Sequence, residues 1–377
     1  MRILWLPHND WLFIRRGQRE FRFAQAIKDV HDVHFVTWLK VRSWSPAALD
    51  SLRTKMWRDA GLTIHQARRV PNFLGQQVHE RSARGLRINE LLHQHEVRQL
   101  VHRELIDLVI CGISHQLVGL PPDDLEVPLI FDYLDYSLEA WAEVESEYMG
   151  IADAVICTSE VLANRARRLH PHSYYLPNGV DLGAAAAADG KRVRAEYGLD
   201  GANVVSLIGV TASSRPFYID GIAAAAREDS TLVFLLVGDG GALGDAMIER
   251  ARELGVRTFA TGPVPPSEVA DFFAATDVGL YPGDQTPYFD AACPLKVLEY
   301  SAAGKPVVAT DLAELRNWGF PNVHLAAPTA EAFASEIKLA LRSQPEQPEL
   351  DRFSWSALSA RLLEILSEVS ARGKVRH

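Results

Sequence analysis

The segment PLKVLEYSAAGKPVVATD, residues 294–311, carries residue types at a spacing suited to anion chemistry. Proline lacks an amide hydrogen and fits the start of a helix. Pro294 is therefore expected to open a helix, and Gly304, a residue type suited to a C-terminal cap, to close it. A helix start gathers unpaired N–H groups and the positive end of the helix dipole, and both attract anions. Lys296 adds a cation to that first turn, and Glu299 follows on the same face. Two readings fit these residues. A diphosphate sits at the helix start while Glu299 accepts from ribose hydroxyls, or Lys296 and Glu299 form an i,i+3 surface ion pair on a capped helix.

A second cluster is VGDGGALG, with Gly238, Gly240 and Gly244 between an apolar run and a helical pattern. Its last spacing is one residue too long for GxGxxG, and the opening strand carries no such glycines, so a tight turn is the favoured reading. Asp132 and Asp135 directly follow the apolar run 127–131. Either can act as a base toward an acceptor hydroxyl or bind acceptor hydroxyls, and either can instead cap the next helix. No spacing of His, Cys, Asp and Glu matches a metal site, so none is expected. Cys111, Cys157 and Cys293 form no CxxC pair, which argues against a disulfide framework and for a reducing compartment.

The elements that must position these residues alternate along the chain. Strand-like runs at 1–7, 33–38, 106–111, 127–131 and 152–158 are separated by helical patterns such as 17–26, and 40–105 reads as a long irregular basic stretch. YYLPNGVD at 174–181 interrupts the pattern with turn chemistry, and the small-residue stretch 183–190 follows. The alternation then restarts, with apolar runs at 204–209, 231–237, 258–260, 278–281 and 306–309. Continuous apolar runs alternating with helices imply parallel sheets covered on both faces. The expected fold is α/β, with two Rossmann-like doubly wound domains facing across a cleft. Their expected bounds are 1–180 and 181–350, with a C-terminal helix in 351–377 packing back on the first. At 377 residues the chain has the length for two domains, and 47% hydrophobic with 23% charged residues is ordinary globular composition. No run of about 18 apolar residues is present, and the N-terminus reads as a strand rather than a leader.

Net charge is −9, which disfavours nucleic acid as a partner. Residues 1–120 nevertheless carry 18 Lys/Arg against 11 Asp/Glu and nine of the 13 histidines. Between 40 and 105, Arg42, Arg53, Lys55, Arg58, Arg68, Arg69, Arg81, Arg84 and Arg87 interleave with Trp44, Trp57, Phe73 and Leu74. Such a segment suits an anionic membrane surface or an anionic acceptor, or else a solvated face with its apolar residues turned inward.

Six segments in order give the chain a resemblance to the GT-B glycosyltransferases, and among them to the retaining enzymes of family four. These are ADAVICTSE, YLPNGVD, VVSLIG, LLVGDGG, ATGPVPPSEVADFFAATDVGLYP and PLKVLEYSAAGKPVVATD. The similarity covers residues 150–312 well and the first 140 weakly. It implies two Rossmann-like domains, a nucleotide-sugar donor in the second, and transfer with retention and without a metal or cofactor. Carried over, Glu299 matches the ribose-binding glutamate, and Gly209 and Gly238 end the strands that meet the donor. Backbone at Pro294, Leu295 and Lys296 would hold the diphosphate, with charge from Lys296. Arg215 is the remaining phosphate ligand, since Val210 stands where relatives carry an arginine. Val264 and Pro265 line the base. Ala291 replaces a common acid, leaving Asp290 next to it as the substitute. In the first domain, Gly17 matches the glycine loop near the donor phosphate, and His115 lies near a histidine placed against the donor sugar.

The resemblance thus implies a hexosyltransferase using a UDP- or GDP-sugar and a saccharide, lipid-linked or small-molecule acceptor. It is expected in the cytoplasm, at the inner face of the membrane through 40–105. A sugar-nucleotide 2-epimerase of the same fold and a non-catalytic, partner-binding lobe are the alternatives. The basic, aromatic 40–105 segment exceeds what an epimerase requires, which favours transfer.

Overall fold

A computed structural model of the chain describes residues 1–38, 49–69, 83–112, 125–136, 142–209, 216–238, 240–344 and 346–373. The chain forms two compact units, Met1–Pro177 with Trp355–His377, and Asn178–Ser354.

The first unit holds an eight-stranded sheet. Its strands are β1 (Arg2–Leu6), β2 (Asp32–Thr37), β3 (Lys55–Asp59), β4 (Leu62–Gln66), β5 (Leu108–Gly112), β6 (Leu129–Tyr133), β7 (Ala154–Cys157) and β8 (Ser173–Tyr175). Their order is β3-β4-β2-β1-β5-β6-β7-β8. Every pairing is parallel except the β3–β4 hairpin at the edge. The stretch 40–105, expected to be irregular, contains this hairpin and the helix Ala83–Arg103. Four of the five β3 residues are exposed, whereas Thr63, His65 and Gln66 are buried on β4. Polar residues at buried positions are what broke the apolar signal of these strands. Of the basic and aromatic residues noted there, Arg42, Trp44, Phe73, Leu74 and Arg81 lie outside the described residues.

The terminal helix Trp355–Gly373 belongs to the first unit. Leu358, Leu362, Ile365, Leu366 and Val369 enter the core with Ile3, Trp5, Phe23 and Ile27. Trp355 meets Phe23 edge-on at 5.4 Å, which ties this helix to the helix Arg19–Ile27. No helix among the described residues is long and apolar enough to cross a membrane.

The second unit holds six parallel strands, β9 (Asn203–Ile208), β10 (Leu232–Val237), β11 (Arg257–Ala260), β12 (Val278–Tyr281), β13 (Val307–Thr310) and β14 (Val323–Ala326). Their order is β11-β10-β9-β12-β13-β14. Alternate residues of one strand serve opposite cores. Val233, Leu235 and Val237 pack on one face of the sheet, and Leu232, Phe234 and Leu236 on the other. Burial of each such side chain contributes about 1.5–3 kcal/mol. Both faces being covered explains why β10 reads as the unbroken run LVFLLV.

In each sheet the chain reverses its direction of travel at one strand pair. Strand β1 has β2 on one side and β5 on the other, and β9 has β10 on one side and β12 on the other. The crevice beyond the carboxyl ends of such a pair is where doubly wound sheets bind ligands. Gly279 on β12 brings the helix Leu295–Ala302 close to this point, since a Cβ there would lie 2.5 Å from the Tyr300 ring. The Tyr300 hydroxyl then donates to the Ser206 carbonyl on β9 at 2.9 Å, fixing the helix against the strand.

Candidate functional site

In the second unit the side chains at the crevice come from the helix Leu295–Ala302 and two glycine turns. Gly209 follows β9 with φ +104, and Gly238 follows β10 with φ +111. A Cβ on Gly209 would stand 3.1 Å from Lys296 Cε, and one on Gly238 would stand 3.5 Å from Gly209 Cα. The two turns and the lysine stem are therefore in mutual contact. Any side chain at 209 would meet both the left-handed backbone and Lys296. Lys296 Nζ donates to Glu299 Oε2 at 2.8 Å and lies 5.4 Å from the Phe273 ring centroid. The two charged side chains are 33% and 26% exposed, so both are within reach of a ligand.

The helix start is less open than its sequence implies. Pro294 has no N–H, and the Leu295 N–H donates to the Cys293 carbonyl at 2.9 Å. Of the two backbone N–H groups expected here, at Leu295 and Lys296, that of Lys296 is the one left for a phosphate. Asp290, expected against the donor sugar, accepts from the Ala313 N–H at 2.8 Å and so caps the helix Ala313–Trp318 with one carboxylate oxygen. Gly238 N–H donates to the Gly262 carbonyl at 3.0 Å. That bond draws the loop carrying half-buried Val264 and exposed Pro265 to the end of β10. Arg215 lies outside the described residues.

The first unit gathers a different set at the ends of β1, β5 and β6. His8 follows β1, and Arg19 and Glu20 open the helix Arg19–Ile27. His8 Nδ1 meets Glu20 Oε1 at 2.5 Å. A Cβ on Gly112, at the end of β5, would stand 3.7 Å from His8 Cβ. Arg19 donates from Nη1 to the Pro177 carbonyl at 2.7 Å and from Nη2 to Asp132 Oδ1 at 3.4 Å. Glu20 and Asp132 are each 1% exposed. Glu20 Oε2, Arg19 Nε and Asp132 Oδ2 are buried without hydrogen-bond partners.

Burial opposes charge on His8, but the Glu20 carboxylate and its hydrogen bond, helped by Asp135 and Asp132, outweigh it and hold the pKa above 6.5. Burial likewise opposes charge on Glu20, yet the His8 imidazolium, the hydrogen bonds and Arg19 keep it below 4.5. For Asp132 burial prevails over Arg19, and its pKa is raised above 3.8.

Asp132 thus neither caps a helix nor faces solvent; it is the buried partner of Arg19. Asp135 is exposed, at the rim of the same cluster. Gly17 has φ +102 and precedes the helix start by two residues. His115 lies outside the described residues. The sequence reading did not single out His8, Arg19 or Glu20. Their one signal is position: a histidine just past the first strand and an Arg-Glu pair opening the first long helix.

Residues 214–343 match the family Glycosyl transferases group 1. A Bacillus subtilis protein named for teichuronic acid biosynthesis, the glycosyltransferase TuaH, is 32% identical over 183 residues, covering 46% of this chain and 44% of that one. The match thus spans less than half the length of this curated relative. Among solved structures, sucrose-phosphate synthase from Thermosynechococcus elongatus superposes with a TM-score of 0.71 at 16% identity, covering 98% of this chain and 99% of that one. Anabaena HepE, solved in complex with UDP, gives 0.70 at 16% identity, covering 98% and 100%. The chain thus has the GT-B fold of these solved structures, and residues 214–343 of its second unit match a glycosyltransferase family.

Proposed function

We propose that the chain transfers a hexosyl group from a UDP- or GDP-sugar to a hydroxyl of a saccharide, lipid-linked or small-molecule acceptor. The observation that carries this reading is the contact of Gly209, Gly238, Lys296 and Glu299 beyond the β9 end. Two turns without side chains leave space for a diphosphate against backbone, and a cation stands beside them. In this reading Lys296 exchanges its Glu299 partner for the diphosphate, and Glu299 turns to the ribose hydroxyls. Negative charge grows on the diphosphate as the glycosidic bond breaks, so a preplaced ammonium and the Lys296 N–H stabilise the transition state more than the ground state. Val264 and Pro265 line the base. The complex of the fold neighbour HepE with UDP supports a uridine donor. Retention and metal independence follow the resemblance of the motif series.

Release of nucleoside diphosphate from UDP-glucose, UDP-N-acetylglucosamine and GDP-mannose tests this. The expected result is turnover of one donor, unchanged by EDTA and with the anomeric configuration kept. Turnover abolished by EDTA would refute the metal-independent part. Interconversion of the sugar nucleotide without release of the diphosphate would point to the epimerase instead.

A further inference from the structure

Three buried nitrogens gather in the first unit at the ends of β2 and β4. Trp38 follows β2 directly, and Arg69 follows β4. These strands run parallel with Thr37 opposite Gln66, and the Ala67 N–H donates to the Thr37 carbonyl at 2.8 Å. The backbone of Arg69 is fixed from both sides. Its N–H donates to the Ser51 carbonyl at 2.8 Å, and Ser51 Oγ donates to the Arg69 carbonyl at 3.1 Å. His93, on the helix Ala83–Arg103, meets the Trp38 ring edge-on with centroids 6.4 Å apart. Trp38 is 4% exposed and His93 5%.

Trp38 Nε1, Arg69 Nη1 and His93 Nε2 are buried without hydrogen-bond partners among the described residues. An indole N–H and a guanidinium can only donate. Burial lowers the Arg69 pKa, and no carboxylate among the described residues offsets it. Glu96, one turn beyond His93, is already taken, since it accepts from Arg68 Nε and, at 2.8 Å, from the Arg68 N–H. Burial, helped by the Arg69 charge, pushes the His93 pKa down to about 4, so its ring is neutral and one tautomer donates from Nε2. A water molecule could accept from two of these groups but brings no charge to balance Arg69. An oxyanion supplies both the acceptor oxygens and the charge.

We propose that Trp38, Arg69 and His93 form a binding site for an oxyanion, a phosphate or carboxylate group that is either free or carried by a saccharide. Arg69 supplies the charge, and the indole and imidazole N–H groups fix the orientation. The site lies within the first unit and does not depend on the transfer reading.

The test is calorimetric titration of the intact chain carrying Lys296→Ala, so that phosphate held at the donor helix does not contribute. The probes are inorganic phosphate, glucose 6-phosphate and glucuronate, with glucose as the neutral control. Saturable binding of at least one anion, and none of glucose, is expected. Adding Arg69→Met should weaken that binding by about 100-fold, and adding Trp38→Phe by about tenfold. Arg69→Met should also raise the Tm without anion, because it removes an uncompensated buried charge, whereas an arginine with a purely structural role would lower it. Trp38→Phe keeps an aromatic ring against His93 and decides the matter if Arg69→Met does not fold. Binding of glucose 6-phosphate or glucuronate at least about tenfold tighter than phosphate would assign the anion to a saccharide, and equal affinities would assign it to a free ion. No binding of any anion at about 10 mM by the folded chain, or affinity unchanged in both added variants, would overturn the proposal.

Discussion

Lys296→Ala is expected to lower sugar-nucleotide turnover by about 10²–10³-fold, the loss typical of one transition-state charge stabiliser. Affinity for the nucleoside diphosphate should fall by about tenfold or more, since a hydrogen bond to a charged group contributes roughly 1.5–3 kcal/mol. Two effects add. The ammonium is lost, and Glu299, which it neutralises at 2.8 Å, is left as an uncompensated anion beside the diphosphate. The double variant Lys296→Ala with Glu299→Gln separates them, because it removes the repulsion and should regain part of the affinity. Steady-state kinetics and calorimetry on the three variants measure this. Unchanged turnover in Lys296→Ala would show that the ion pair is only a surface contact of the helix Leu295–Ala302.

Asp132→Ala is expected to destabilise the first unit by about 3–5 kcal/mol, the cost of leaving a buried charge without its partner. Arg19 is 6% exposed and would keep the Pro177 carbonyl at 2.7 Å but lose the Asp132 carboxylate that it meets at 3.4 Å. Asp132→Asn keeps an acceptor in the same place and should cost much less. Amide hydrogen exchange is the suitable readout, because the two units need not unfold together. Protection should fall in β1, β5 and β6 and persist in β9 and β10. A loss below about 1 kcal/mol would mean that Arg19 does not depend on Asp132, and the cluster would then rest on His8 and Glu20 alone.

Several elements were legible because one physical signal dominates them. β1 and β10 are buried on both faces and read as apolar runs. The helix Leu295–Ala302 was marked by Pro294 before it and Gly304, with φ +72, just beyond it. The β3–β4 hairpin was not legible. Its outer strand is exposed, and its inner strand buries His65, which pairs with His34 at 2.9 Å. The small-residue stretch 183–190 did not announce a helix either, yet Asp181 caps Leu182–Ala187 by accepting from the Ala184 N–H at 3.0 Å.

The site divides in the same way. Lys296 and Glu299 are three residues apart on one helix, so their meeting follows from helix geometry. His8 and Glu20 are separated by a turn and a short helix, Trp11–Ile14, and meet only because β1 and the helix Arg19–Ile27 pack together. The same holds for Arg19 and Asp132, which are far apart in sequence and joined by the parallel sheet. Local periodicity carries no information on such pairs.

Calorimetric titration of the purified chain with UDP, GDP, ADP and dTDP, without metal, tests the central claim most directly. The account predicts saturable binding of UDP or GDP that is weakened or lost in Lys296→Ala. Binding of none of the four, by a chain whose second unit is folded, would contradict a nucleotide-sugar site at Gly209, Gly238, Lys296 and Glu299.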